Sequence, residues 1–290
     1  LSRYYLNDGK GSFSRVANFP IIRTNAGAIL AVDIDQDNDM DVIIGGRSTP
    51  GSFPVAPKSY LLKNEKGKFV DVTKDFFPAL ENLGMITDIE AADLDGDGRK
   101  ELIIAGDWMP ISIFSFDGKV MTDRTSSYGL EKSSGWWKSV ALDDIDGDGD
   151  QDIVAGNIGL NNRLHASEKY PLTLIANDFD GNGSLDPLMC YYYQGKLYPY
   201  VGKDAIIGQI PKLKKKYVRY GPYSIATIQD IFTSSELEGS LNLYAHTLET
   251  TLFINDQKKF VAKTIPYQAQ FNPVYDVVIK DFDGDGKKDI

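Results

Sequence analysis

The segment DLDGDGRKELIIAG, residues 93–106, places acidic side chains at its positions 1, 3, 5 and 9 and then continues into an apolar stretch that ends in glycine. Glycines at positions 4 and 6 let the backbone adopt positive φ angles and wrap closely around a small ligand. The isoleucine-containing stretch that follows is typical of a β-strand. The segment therefore predicts a cation-binding loop between two β-strands.

The same pattern occurs five times, in loop 1 (33–41), loop 2 (93–101), loop 3 (144–152), loop 4 (178–186) and loop 5 (281–289). The side chains predicted to bind the cation, at positions 1, 3, 5 and 9, are Asp33, Asp35, Asp37 and Asp41; Asp93, Asp95, Asp97 and Glu101; Asp144, Asp146, Asp148 and Asp152; Asp178, Asp180, Asn182 and Asp186; and Asp281, Asp283, Asp285 and Asp289. Position 7 varies in type and is predicted to contribute its backbone carbonyl oxygen, from Asp39, Arg99, Asp150, Ser184 and Lys287.

Calcium is the ion that this donor set favours. Carboxylates packed this closely repel one another, and a bound cation removes that repulsion. Ca²⁺ accepts about 6–8 oxygen ligands in a flexible geometry, whereas Mg²⁺ requires an octahedron and retains its waters. Up to five calcium ions are therefore predicted. For a single loop, an ordinary Asp/Gly surface turn is the alternative, and the repetition argues against it.

These loops differ from EF-hands, which need a bidentate Glu at position 12 and a following helix. Position 12 is apolar here, as at Ile44, Ile104, Ala155 and Met189, and strand-like residues surround it. Each loop is therefore predicted to join two strands.

Hairpin patterns, an apolar strand followed by a polar turn and a second strand, alternate with the loops at residues 4–13, 60–69, 111–120 and 251–260. The first three loops begin at Asp33, Asp93 and Asp144, which gives repeats of roughly 50–60 residues, the size of a four-stranded propeller blade. The sequence predicts an all-β fold: a β-propeller of four-stranded blades that occupies residues 1–290 and forms part of a longer protein. A linear solenoid would have shorter repeats.

The repeat is interrupted after loop 3. Loop 4 follows too soon for a complete blade, and its calcium loop is predicted to replace the outer turn of its blade. Residues from about 204 to 246 have helix-compatible spacing and predict a mainly helical insertion.

The loops that continue into ELIIAG and DIVAGN resemble the FG-GAP/VCBS repeat family, whose propellers include those of integrin α-subunits. More narrowly, the segments AGDWMPISIF, GNIGLNNRL, PLTLIANDFDGNGSLDP and IPKLKKKYVRYGPYSIATIQDIF resemble bacterial envelope proteins that combine such repeats with an ASPIC/UnbV domain, although no such domain is evident in this sequence. The resemblance implies a calcium-dependent propeller exposed outside the cytoplasm.

The remaining composition is that of a globular protein with 42% hydrophobic residues and no apolar run long enough to cross a bilayer. The formal net charge of −10 comes largely from the loops, and neither this charge nor any basic patch favours binding of nucleic acid.

No metalloprotease, nucleophile-elbow, phosphate-loop or dinucleotide motif surrounds His165, His246 or the only cysteine, Cys190. The chain is therefore predicted not to be an enzyme. Trp136 and Trp137 are expected to pack between blades rather than to stack on a ligand.

The function predicted from the sequence is a calcium-binding adhesion, ligand-binding or scaffolding module of a larger surface protein, with a protein or glycan partner. Loops of this kind match the 10⁻⁴–10⁻³ M calcium affinities of extracellular modules, so an extracytoplasmic location is predicted, at the cell envelope, at the cell surface or after secretion. Two alternatives stay open at this point. One is a propeller hydrolase or lyase that acts on polysaccharide, and the other is a structural spacer without a ligand.

Overall fold

The computed structural model describes residues 2–290, which form mainly β structure arranged in antiparallel sheets. Near the start, β1 (Tyr5–Asn7) and β2 (Phe13–Arg15) form a two-stranded hairpin. The chain then builds sheet I from four strands in sequence order: β3 (Asn25–Val32), β4 (Asp41–Ser48), β5 (Tyr60–Glu65) and β6 (Lys68–Asp71). Loop 1 joins the first two strands of sheet I, as predicted for a loop between strands.

Sheet II follows the same plan. A short helix, α1 (Thr73–Phe76), and a 3₁₀ turn (Pro78–Asn82) lead into it. Its strands are β7 (Met85–Ala92), β8 (Glu101–Met109), β9 (Ser112–Phe116) and β10 (Met121–Asp123), and β11 (Gly135–Trp136) pairs with the far end of β8. Loop 2 again joins the first two strands. The hairpins β5–β6 and β9–β10 confirm two of the hairpins predicted from the sequence.

Sheet III is interrupted by a second sheet. Strands β12 (Ser139–Asp143) and β13 (Asp152–Gly156) flank loop 3. The chain then forms all of sheet IV, from β14 (Leu172–Asn177), β15 (Asp186–Tyr193), β16 (Lys196–Pro199) and β17 (Leu241–Ala245). Only afterwards do β18 (Thr251–Asn255) and β19 (Phe260–Thr264) complete sheet III, in the order β12-β13-β18-β19. Sheet IV is thus inserted between the second and third strands of sheet III.

This topology corrects the prediction for loop 4. The loop joins β14 and β15, the two central strands of sheet IV, because β14 pairs with β17 on its other side. The outer hairpin of sheet III is β18–β19, so loop 4 does not replace it. The error arose because the apolar strand before loop 4 has the same pattern as the first strand of an outer hairpin, whereas its pairing partner, β17, lies far ahead in the sequence.

Helices cover one face of sheet IV between β16 and β17: α2 (Lys203–Gln209), a 3₁₀ turn (Pro211–Lys215), α3 (Tyr220–Ser224), α4 (Ile228–Ile231) and α5 (Ser234–Leu237). Capping boxes formed by Thr227 with Asp230 and by Thr233 with Glu236 start the last two helices. Phe232 stacks on Phe179, with ring centroids 4.1 Å apart, and joins the helices to loop 4. The predicted end of this insertion, near residue 246, is wrong because residues 241–245 pair with β14 as a strand.

Sheets I, II and III pack side by side in chain order. Strand β3 lies against β7, and β7 lies against β12. Ile43, Leu61 and Ile86 are buried in one apolar cluster, which joins sheets I and II. Ile113 and Trp137 belong to a second cluster, which joins sheets II and III. Because each sheet buries a face on its neighbour, the three sheets stabilise one another.

The tryptophans before β12 have the packing role predicted for them. Trp137 is fully buried, its indole Nε1 donates to the carbonyl oxygen of Ser133 at 2.9 Å, and its ring meets Phe253 edge-on. Trp136 packs edge-on against Trp108 beside sheet IV. Among residues 2–290, no helix combines the length and the apolar character needed to cross a membrane.

Candidate metal centres

The first carboxylate of each loop organises the loop backbone. In loop 2, Asp93 Oδ1 accepts hydrogen bonds from the N–H groups of Gly96 at 2.7 Å and Asp97 at 3.2 Å, and Oδ2 accepts from Gly98 at 2.9 Å. This arrangement requires the chain to turn back on itself, and the φ angles of Gly96 and Gly98 are 75° and 84°. The glycine positions noted in the sequence are therefore the ones that close the loop.

The same closure recurs in the other loops. Asp144 accepts three backbone hydrogen bonds of 2.7–3.1 Å in loop 3, and Asp178 accepts three of 2.8–3.0 Å in loop 4. Asp281 accepts from positions 4 and 6 of loop 5 at 2.6 and 2.9 Å. In loops 4 and 5, these N–H donors hold the pKa of Asp178 and that of Asp281 below their usual value. The five loops thus share one backbone conformation.

A glycine substitution tests this conformation. We expect Gly147→Ala, at φ 81° with open space around the added Cβ, to lower the free energy of unfolding by about 1–2 kcal/mol through backbone strain alone. The matched control is Gly208→Ala in helix α2, which also adds a methyl group in open space but at an ordinary helical position. Since alanine is the better helix former, the control should raise stability by about 0.5–1 kcal/mol. Urea unfolding measures both, and equal effects of the two changes would contradict the strain at Gly147.

The carboxylate at position 9 fastens loops 1 to 4 to their sheets. Asp41, Glu101, Asp152 and Asp186 are all at least 97% buried, and each accepts a hydrogen bond from the backbone N–H at position 2 of its loop. Asp41 and Asp152 also accept from the third strand of their sheets, through the backbone N–H groups of Asn64 and Asn255 at 2.8 Å. Position 9 therefore connects the loop to the neighbouring strand.

Each loop brings three carboxylates together, with ligand oxygens within 4.8 Å of one another. The groups are Asp33, Asp35 and Asp37; Asp93, Asp95 and Glu101; Asp144, Asp146 and Asp152; Asp178, Asp180 and Asp186; and Asp281, Asp283 and Asp285. Burial, together with the charges of Asp95, Asp97 and Asp93, raises the pKa of Glu101 to about 7. Burial and neighbouring aspartates likewise raise the pKa of Asp41, Asp152 and Asp186. An all-oxygen, mutually repelling donor set of this kind fits a hard cation.

Two side chains at position 7 contact other segments of the chain, whereas Lys287 Nζ lies 3.9 Å from Asp285 of its own loop. Asp39 accepts from the backbone N–H of Lys66, and the Arg99 guanidinium donates to the carbonyl oxygen of Phe116. These contacts leave the backbone carbonyl oxygen of position 7 able to bind the cation, and its role as a ligand stays a prediction. Sequence reasoning missed Asn64 and Asn255, which contact position 9 from the third strand. The available signal was their shared place, the fifth residue of the outer hairpin.

Two cavities of the described chain adjoin the loops. One of about 460 Å³ lies beside loop 2, between Glu101, Tyr128 and Lys258, and one of about 470 Å³ lies beside loop 3, next to Asp146 and Asp256. Cys190 is buried in the cluster under the helices, and burial raises the pKa of its thiol to about 12. A thiol in that environment is not a reactive nucleophile.

A model of the FG-GAP-like repeat family matches residues 93–155. The match includes loops 2 and 3, sheet II from β8 onward and the first two strands of sheet III. No curated protein matches the chain significantly.

Among solved structures, the chain matches the V. cholerae biofilm matrix protein Bap1 with 22% sequence identity and a TM-score of 0.32. The match covers 63% of this chain and 31% of that chain, so the present chain spans about a third of the length of its structural neighbour. At this TM-score the likeness does not establish a shared fold. Neither match concerns a protein with an ASPIC/UnbV domain, and that narrower resemblance stays a prediction.

Proposed function

We propose that the chain is a calcium-stabilised binding or scaffolding module that works outside the cytoplasm. The observation that carries the proposal is the repetition of one loop conformation, between paired strands in sheets I to IV and again at residues 281–289, with three carboxylates converging in every copy. A single acidic turn has many explanations, whereas five loops in which the backbone N–H at position 6 donates to Oδ2 of the first aspartate favour one repeated ligand.

Calcium is the proposed ligand because the loops offer oxygen atoms alone, on a backbone that wraps through positive φ angles. In loop 3, for example, Asp144, Asp146 and Asp152 would hold the ion. Bound there, it would neutralise the carboxylates and connect the loop to the strands on both sides. Its role in this proposal is to support the fold.

The propeller is the arrangement that we propose for the sheets. Sheets I, II and III are antiparallel and have four, five and four strands; their first strands lie side by side in chain order, and each sheet buries a face on the next. Radial packing of such sheets around an axis would continue this pattern. Sheet IV and its helices would then form an insertion that rises from the third blade.

The proposed partner is a protein or a glycan at the cell surface, and we propose no catalytic role for the chain. Calcium affinities of 10⁻⁴–10⁻³ M, typical of extracellular modules, would leave the loops mostly empty in a cytosol and filled outside it. A rigid stack of sheets also presents its loops at fixed distances for binding. Glycan and protein arrays probed with and without calcium test this part of the proposal, and selective binding in calcium alone is the expected result.

Calcium binding itself is tested by a single substitution in loop 3. Asp146→Asn removes one ligand carboxylate from the converging group, and we expect the number of calcium ions bound per chain to fall by one. The matched control is Asp256→Asn, which removes the same charge from the β18–β19 turn beside loop 3 but outside the ligand positions. Isothermal titration calorimetry gives the count, and equal counts for the two variants would contradict a metal site in loop 3.

A further inference from the structure

Loop 1 differs from the other loops in the residues that close it. Gln36 and Asn38 occupy positions 4 and 6, where the other four loops have glycine, and they adopt φ angles of 61° and 67°. Non-glycine residues adopt this conformation at a cost. Loop 1 therefore keeps the common conformation without the residues best suited to it, so other contacts must hold it in place.

Lys63, on strand β5 of sheet I, brings an ammonium group into the carboxylates of loop 1. Its Nζ donates a hydrogen bond to Asp35 Oδ2 and lies 3.4 Å from Asp37 Oδ2. The side chains of Lys63 and Asp35 are only 23% and 12% exposed. This is a largely enclosed ion pair at two ligand positions of the loop, and it is stronger than an exposed surface pair for that reason.

Among sheets I, II and III, only sheet I has a lysine at the strand position occupied by Lys63. The residue that follows position 9 of each loop pairs with Leu62 in sheet I, with Phe114 in sheet II and with Phe253 in sheet III. The next residue along each third strand is Lys63, Ser115 and Ile254, respectively. Sheets II and III thus have an uncharged side chain at the position that corresponds to Lys63.

Lysines near two other loops make looser contacts. Lys258 Nζ is 3.6 Å from Asp95 in loop 2, and its side chain is 58% exposed. Lys287 Nζ is 3.9 Å from Asp285 in loop 5, and its side chain is 83% exposed. Solvent screens both pairs, and neither lysine is held in place as Lys63 is.

The hairpin that carries Lys63 also forms hydrogen bonds to loop 1. The backbone N–H of Asn64 donates to Asp41, that of Lys66 donates to Asp39, both at 2.8 Å, and the Asn64 side chain donates to the carbonyl oxygen of Met40 at 3.1 Å. Strand β5 and the turn after it therefore fasten loop 1 directly. A bound ion would perform the same task.

We propose that Lys63 is the resident cation of loop 1, so that this loop keeps its conformation without calcium while loops 2 to 5 take the ion. The ammonium uses a ligand oxygen of Asp35 and repels a divalent cation placed beside it. The inference rests on the proposed function, since it divides the loops into calcium-dependent and calcium-independent classes. Loop 1 would then fix the edge of sheet I at any calcium concentration.

The test compares calcium counts, measured by calorimetry and native mass spectrometry on the full chain. Lys63→Met removes the ammonium and keeps a long apolar stem, and we expect this variant to bind one calcium ion more than the unmodified chain. Lys258→Met, the same change beside loop 2, should leave the count unchanged. Equal counts for Lys63→Met and the unmodified chain, with calcium still bound elsewhere, overturn the inference and leave the proposed function intact.

A second pair of variants keeps the lysine in place and covers the case in which Lys63→Met does not fold. Asp33→Asn and Asp93→Asn remove the carboxylate at position 1 of loops 1 and 2. The first should leave the calcium count unchanged, and the second should lower it by one. Loss of one ion in both variants overturns the inference alone, whereas no calcium in any variant or in the unmodified chain overturns the proposed function together with it.

Discussion

Removing calcium is expected to destabilise the chain more than any single substitution. If calcium is present at about twenty times the dissociation constant of a loop, each occupied loop contributes about 2 kcal/mol to the free energy of unfolding, and four loops together contribute on the order of 7 kcal/mol. Once the ions leave, the converging carboxylates of each loop repel one another as well. Thermal and urea unfolding before and after addition of a chelator measure the loss.

Magnesium provides the control for this measurement. Calcium added back in excess should restore the midpoint of unfolding, whereas magnesium at the same concentration should restore little, because it does not readily exchange its waters for a flexible cage of carboxylates. An unfolding curve that the chelator leaves unchanged would mean that the acidic loops are ordinary turns. If both ions restored the midpoint of unfolding equally, the stabilisation would come from general charge screening and not from calcium sites.

The second large effect is expected at Trp137, which connects sheets II and III. Trp137→Ala should lower the free energy of unfolding by about 3–5 kcal/mol, because it removes the largest fully buried side chain and leaves a cavity between the sheets. It also leaves the carbonyl oxygen of Ser133 without its 2.9 Å hydrogen bond and Phe253 without its aromatic neighbour. Urea unfolding monitored by circular dichroism measures the change.

The matched control is Tyr193→Ala, which removes another aromatic side chain from a position that is 59% exposed. It should change stability by no more than about 0.5 kcal/mol. If Trp137→Ala costs no more than this control, sheets II and III do not pack through Trp137, and the blade-like stacking proposed for the chain loses its main support.

The parts of the structure that the sequence predicts well are local. The alternating aspartates and glycines of residues 93–98 determine loop 2 through contacts within six residues. The structure brings together Asp93, Asp95 and Glu101 from that loop, whereas the predicted ligand Asp97 lies outside this group. The hairpin at residues 251–260 also forms as predicted, because its two strands are joined by a short polar turn.

What the sequence did not predict depends on distant pairings. Strand β13 pairs with β18, which lies about a hundred residues later in the sequence. No pattern within β13 indicates that its partner is so distant. Residues 241–245 read as the end of a helix but form a strand, since β14 offers them an unpaired edge. Lys63 was missed for a related reason: it enters loop 1 from the neighbouring strand β5 and is separated from Asp35 by 28 residues.

A calcium anomalous difference map from crystals grown with the ion would locate the bound ions directly. We expect peaks in loops 2, 3, 4 and 5, each about 2.3–2.6 Å from the converging carboxylate oxygens. In loop 1 we expect the Lys63 ammonium and no calcium peak. The same map would show whether sheets I to III surround a common axis. A map without peaks in any of these loops would contradict the account.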